Sequence, residues 1–477
     1  MKSVVMIAYN FAPEGNAGAY RPLRFVRHLP SRGWKPTVIT LETDHYERYD
    51  PSLIDLIPEE VQVIRVSNRD PWQGLQAKRS QRAREKASGT PGEIDGVVQA
   101  KAHNRLRRFL RTAVHSLETW CYHPDMAMTW IWPAVRTIAK VSSVAKPDII
   151  WATAPPWSSF VVGALSARRL SVPYVLDFRD SWTMTYTNFE RERPGWAKRL
   201  DRRILRKLFQ NAAAVILRSE TEAECFCRAY HGALHPSKIH IIPNGFEGSI
   251  EQRAVVRGEH CNVLYTGTLS DYRFDTFLKA LKQLRDRHPE CARKLRFHFI
   301  GEATEVLAQE AVALGLTETV MTSGPTSQDL LAQLFQQAHA FLLLERPESM
   351  RGHELLAGAK LFGYLKLGKP IIGVLPRCEA RNVLERVGVS TVCDVDSVAD
   401  ISAMLRQITE AWSKGTLSNL TPDRSACEAY SADRQTAALI RVLEGYSPTE
   451  AFVPGSVEIP ASLRKEIGPA GWITVSC

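Results

Sequence analysis

The sequence predicts an α/β protein built from two Rossmann-like, doubly wound domains. Three observations carry this expectation. The chain has 477 residues, beyond the ~250–300 at which a single hydrophobic core stops growing. Short β-rich apolar runs alternate with amphipathic helical patterns, the arrangement of a parallel sheet with crossover helices on both faces. That alternation occurs twice, and an irregular polar stretch parts the two series. A composition of 44% hydrophobic and 23% charged residues is that of a globular chain able to fill both cores.

In the first series the runs Val4 to Ala8, Thr37 to Leu41, Val61 to Val66, Ile149 to Ala152, Tyr174 to Asp177 and Ala213 to Leu217 read as strands. Between them, Tyr20 to Arg32 and Ser158 to Leu170 carry helical spacing. The join is expected from Ile241 to about Gly258, where Pro243, Asn244 and Gly245 break the pattern. The second series places strands at Val263 to Tyr265, Arg296 to Ile300, Val320 to Ser323, Ala340 to Leu344, Ile371 to Val374 and Ser390 to Val392. Its helices are expected around Phe274 to Arg287, Glu302 to Leu314, Ser327 to Gln337 and Ala359 to Leu367. The expected domains are therefore 1–250 and 251–430, with a helix over 431–447 returning to the first domain and a tail over 448–477 rich in Pro, Gly and Ser.

The opening MKSVVMIAYNFAP is too short an apolar run for a secretion signal and reads as the first strand. No window of ~20 apolar residues is free of charge or proline, so no bilayer span is expected. Nine cysteines are scattered without paired CxxC spacing. They read as reduced packing residues of a cytoplasmic protein; Cys225 and Cys227, near His231, lack the second pair that zinc usually needs.

The formal charge of +10 is uneven. Residues 78–111 hold ten Lys and Arg against three acids, and residues 191–207 hold eight against two, so an anionic partner is implied unless these are plain solvated faces. Residues 72–104 read as a long basic surface insertion. Over 105–121, Leu106, Phe109, Leu110, Ala113, Val114, Leu117 and Trp120 recur at helical spacing beside Arg105, Arg107, Arg108 and Arg111. Such a helix either lies in a membrane interface with its arginines on anionic lipid or packs its apolar face on the sheet. No aromatic stacking platform or zinc module accompanies the cations, which argues against nucleic acid.

The first strand runs into a small-residue loop with Gly15 and Gly18 before a helix holding Arg21. Its backbone can approach an anionic ligand at the positive end of the helix dipole, although the spacing is not that of a dinucleotide loop. At another strand end stand Asp177, Arg179 and Asp180. Asp177 and Arg179 suit bracing by ion pairing, and Asp180, furthest out, suits contact with an acceptor hydroxyl or general-base work.

At this point a resemblance covers residues 1–445. The opening YNFAPEGNAGAYRPLRFVRHLPSRGWKPTVIT, DFRDSW, IPNGF, YTGTL and GAKLFGYLKLGKPIIGV occur in an order similar to glycosyltransferase family 4, in a bacterial branch of cell-surface polysaccharide enzymes. The resemblance implies a GT-B fold, two Rossmann-like domains facing across a cleft, with nucleotide-sugar held by the second and acceptor by the first. It further implies transfer with retention of anomeric configuration and no metal or other cofactor, positive side chains and helix amides neutralising the departing diphosphate. Carried over position by position, Gly267 opens the loop beside the diphosphate, Thr268 replaces a usual Arg, and Arg273 supplies the surviving cation. Gly358, Ala359, Lys360 and Leu361 match the start of the phosphate-holding helix. The chain departs from the family at Gly363, where a ribose-binding glutamate is usual, and at Leu355, its companion, with Glu354 one step off register.

The reading that follows is a glycosyltransferase with Asp180, Arg273 and Lys360 as catalytic groups and Glu354 among the donor contacts. Its acceptor is lipid-linked or a polysaccharide, and its place is cytoplasmic or peripheral on the inner face of the membrane. Two alternatives share the architecture: a non-catalytic glycan- or lipid-binding partner in a polysaccharide assembly complex, and a sugar-nucleotide epimerase.

Overall fold

In the computed structural model, the described residues are 1–46, 48–68, 120, 122–184, 193–251, 258–269, 274–344 and 355–445. The chain divides into two compact units, one of residues 1–179 with 188–215 and one of residues 180–187 with 216–477. The expected insertion at 72–104, nearly all of the helix expected over 105–121, and the tail at 448–477 lie outside the described residues.

The first sheet has seven strands: β1 (Lys2–Ala8), β2 (Trp34–Leu41), β3 (Gln62–Val66), β4 (Ile149–Ala154), β5 (Tyr174–Phe178), β6 (Ala214–Leu217) and β7 (Ile239–Ile241). Their order is β3-β2-β1-β4-β5-β6-β7. Val5 faces Thr37 on one side and Ile150 on the other, both in parallel register. Five consecutive residues of β1 and all six of β4 are buried, because a parallel sheet covered by helices on both faces leaves no strand side to water. Ile239–Ile241, a stretch lying against the expected join, forms the edge strand; three residues are too few to show a period.

The second sheet has six strands: β8 (Cys261–Thr266), β9 (Leu295–Ile300), β10 (Val320–Ser323), β11 (Ala340–Leu344), β12 (Ile371–Val374) and β13 (Val392–Cys393). The order is β10-β9-β8-β11-β12-β13, and the registers are parallel. One face packs Phe277 edge-on to Phe297, ring centroids 5.1 Å apart, beneath the Asp275–Arg287 helix. On the other, Phe341 stacks on Tyr364 of the Ala359–Leu367 helix at 4.5 Å. In each sheet the strand order reverses beside the first strand of the series, between β1 and β4 and between β8 and β11, and the ends of such strands are where α/β sheets bind ligands.

Helices start where a serine accepts from a backbone N–H two or three residues into the first turn. Ser219, Ser327, Ser397 and Ser431 do so for the helices Glu220–Ala229, Gln328–Gln337, Val398–Ser413 and Ala432–Leu443. The last of these begins beside Phe246, and its Gln435 Nε2 donates to the carbonyls of Pro243 and Asn244 at 2.9 and 2.8 Å. No described helix is long and apolar enough to cross a membrane.

Candidate anion site of the second sheet

β8 ends at Thr266, and the chain turns at Gly267 with φ +122°, a conformation that L side chains rarely adopt. The Gly267 amide donates to Ile300 O at 2.9 Å. At the neighbouring strand end, Gly301 has φ +149°, and a Cβ there would stand 2.2 Å from the Gly267 carbonyl oxygen. The backbones leaving β8 and β9 thus lie in contact, which a side chain at Gly301 would prevent. The turn is fixed from below: Tyr265 Oη donates to Thr268 O at 3.1 Å, and Thr266 N donates to Tyr364 Oη at 3.1 Å.

The Ala359–Leu367 helix opens beside this turn. Gly358 is its N-cap in extended conformation, and no side chain caps it; Gly358 and Ala359 are exposed. Lys360 Nζ lies 3.8 Å from the centroid of the Tyr265 ring, and a Cβ on Gly267 would stand 3.0 Å from that nitrogen. An ammonium, a positive helix end and a glycine turn open to close backbone approach therefore converge, as a phosphate group requires. Leu361 takes another part: its side chain is fully buried and its amide donates to Gly358 O at 3.2 Å. Gly363 faces outward, and a Cβ there meets nothing within 4 Å. Leu355 is fully buried, its carbonyl accepting from Ser219 Oγ at 2.9 Å. Arg273, His353 and Glu354 lie outside the described residues.

At the end of the first sheet, Asn16 caps the Ala17–His28 helix by accepting from Gly18 N at 2.9 Å, and Gly15 N donates to Arg48 O at 2.9 Å. Arg21 is buried and engages Asp177 through Nη2 at 2.8 Å and Nε at 3.1 Å. Arg179 donates to the carbonyls of Gly18 and Pro155. Both guanidinium groups thus tie the first loop to the end of β5.

Asp180 is half exposed, and Arg218 Nη1 stands 3.6 Å from it. Arg218 is buried and donates through Nη2 to Glu222 Oε1 at 2.9 Å and to Ser181 Oγ at 3.2 Å. Glu222 is fully buried; its Oε2 accepts from Arg218 N at 2.8 Å, and Ser181 Oγ donates to its Oε1 at 2.5 Å. Sequence reasoning passed over Arg218 and Glu222. Their one visible signal is the capping-box spacing from Ser219 to Glu222, which marks a helix start rather than a buried charge pair.

Cys225 and Cys227 are buried in the Glu220–Ala229 helix, burial pushing the Cys227 thiol up to about 12. Among the described residues no group of three or more His, Cys, Asp or Glu is placed to hold a metal. Arg105, Arg107, Arg108 and Arg111 lie outside the described residues.

Residues 17–245 match the model of a glycosyl transferase 4-like domain. No curated protein sequence matches the chain. Among solved structures it is similar to a sucrose-phosphate synthase of Thermosynechococcus elongatus, with TM-score 0.56, 12% identity, and coverage of 93% of this chain and 98% of that one. It is similar also to TarM, with TM-score 0.59, 9% identity and coverage of 93% and 99%. A third is the lipopolysaccharide outer core galactosyltransferase WaaB, with TM-score 0.54, 11% identity and coverage of 93% and 99%. At such identities the likeness is one of fold, the GT-B fold.

Proposed function

We propose, from the premise that a glycosyl transferase 4-like match over the first half and the GT-B fold support a glycosyltransferase 4-like protein, that the chain moves a sugar from a nucleotide-sugar to a lipid-linked or polysaccharide acceptor. The observation that carries the reading is Lys360, held over Tyr265 beside Gly267 at the open end of the Ala359–Leu367 helix. When the bond between the anomeric carbon and the diphosphate oxygen breaks, negative charge builds on that oxygen. Groups positioned in advance at this place lower the barrier by receiving the charge. Lys360 supplies the cation, Gly358 and Ala359 the helix terminus, Thr268 a hydroxyl and Arg273 a second cation, so the reaction runs without a metal. Asp180 contacts the acceptor hydroxyl, and the new bond forms with retention of configuration. Glu354 contributes to donor binding in place of the family glutamate.

Gly15, Gly18 and Arg21 shape the acceptor end of the first sheet, and Arg105, Arg107, Arg108 and Arg111 bring the enzyme to anionic lipid. A mutant of S. aureus TarM has been seen in complex with UDP and α-GlcNAc-glycerol, the same general kinds of partner. The test is donor hydrolysis or transfer by purified protein across a nucleotide-sugar panel, with Lys360→Ala alongside. Turnover lost in the variant supports the reading; no binding and no turnover with any donor argues for a second one. Gly363 favours that second reading, a non-catalytic GT-B partner, since the carboxylate expected for ribose is missing there. Nucleotide-sugar binding by calorimetry separates the two.

A further inference from the structure

We infer that the Gly195–Asn211 helix is a docking face for an anionic membrane surface. Its outward side carries two adjacent rows of cations at four-residue spacing. Arg199, Arg203 and Lys207 are exposed, and Lys198, Arg202 and Arg206 are half-buried beside them. Each row spans eight residues, ~12 Å along the axis. The opposite side is anchored by Ala197, Leu205, Leu208 and Phe209, all buried. The one acid of the helix, Asp201, is also buried and pairs with Arg193 at 2.9 Å, so it does not offset the outer face.

Helix stability does not account for this pattern. Like charges four residues apart destabilise a helix, and Lys198 and Arg199 stand in the first turns, where the dipole disfavours cations. No acid occupies the first turn. The arrangement therefore points outward, to an anion. Two rows on one convex helix make a plane and not a groove, which suits a layer of headgroups better than a nucleic-acid strand. At the amino-terminal end, Trp196 meets Trp120, ring centroids 5.8 Å apart, and Trp120 is 67% exposed. Indoles beside cations are the side chains that settle at the boundary of headgroups and acyl chains. The inference does not depend on what reaction the protein performs.

The full chain is tested by co-sedimentation with vesicles of phosphatidylcholine alone or mixed with phosphatidylglycerol, at low and at physiological salt. Binding is expected only to the mixed vesicles and weakens as salt rises. Arg199→Glu, Arg203→Glu and Lys207→Glu together are expected to lower partitioning by about tenfold or more with the other arginines intact. The matching triple substitution to Gln, which keeps the helix and only removes charge, lowers it by a smaller factor. The inference is overturned if the wild type ignores anionic lipid or if both triple variants partition like the wild type. Salt-sensitive binding to RNA or to an anionic glycan without vesicle binding overturns it equally.

Discussion

The Lys360 ammonium lies 3.8 Å from the centroid of the Tyr265 ring. An ammonium over an aromatic face is held by the ring quadrupole, so the charge is positioned before any ligand arrives. Replacing Lys360 with Ala is expected to lower kcat/KM by about 10²–10³-fold, the usual loss when one preorganised stabiliser of a developing anion is removed. Tyr265→Leu removes only the platform and is expected to cost about tenfold. Steady-state kinetics on the two variants check both the size and the order of the effects; a Tyr265 variant weaker than the Lys360 variant contradicts the geometry.

Gly363 offers a different test, because its position is open. It lies inside a helix, faces outward and has nothing within 4 Å of an added Cβ. Gly363→Glu is expected to fold normally and to gain about 0.5 kcal/mol from helix propensity alone. If the nucleotide ribose lies against this face, the new carboxylate also tightens donor binding by about tenfold through charge-assisted hydrogen bonds. Thermal unfolding reads the first effect and calorimetry the second; a stabilised variant with unchanged affinity places the ribose elsewhere.

The strands were legible because parallel strands buried on both faces appear as unbroken apolar runs, as in Ile149–Ala154 and Ala340–Leu344. The glycine turn at Gly267 and the helix start at Gly358 were legible for a similar reason: both are local. What the sequence could not convey was pairing at a distance. Arg21 reads as a cation in a ligand loop, yet its partner Asp177 is 156 residues away and fully buried. Arg218 and Glu222 are close in sequence, but only folding shows that their helix start is sealed from water, turning an ordinary cap into a charge network.

That network sets a stability prediction. Glu222 is fully buried and pairs with buried Arg218 at 2.9 Å, with Asp180 at 3.6 Å. Removing one member of a buried pair leaves the other charge uncompensated, which costs about 3–5 kcal/mol. Glu222→Gln retains an acceptor and is expected at the lower end, about 3 kcal/mol, in urea unfolding. Adding Arg218→Met to it should recover part of the loss, since the stranded guanidinium is then absent; a double variant no more stable than the single one shows that Arg218 was not the source of the penalty.

His240 gives the pH dependence. It lies in the edge strand Ile239–Ile241, and burial pushes its imidazole from the ordinary 6.5 down to about 4. The folded state therefore binds the proton less readily than the unfolded chain. By linkage, the neutral ring leaves stability intact above about 6.5, and stability is lost as pH falls from there towards about 4. The side chain keeps some contact with water, which reduces the full value of the shift. The expected loss from neutral pH to about pH 5 is thus about 1–2 kcal/mol. His240→Gln removes this titration while leaving other acid-sensitive groups in place, so the difference in unfolding free energy between wild type and variant should shrink by that amount over the same interval. A difference that stays constant with pH would mean that the imidazole titrates as it does in the unfolded chain.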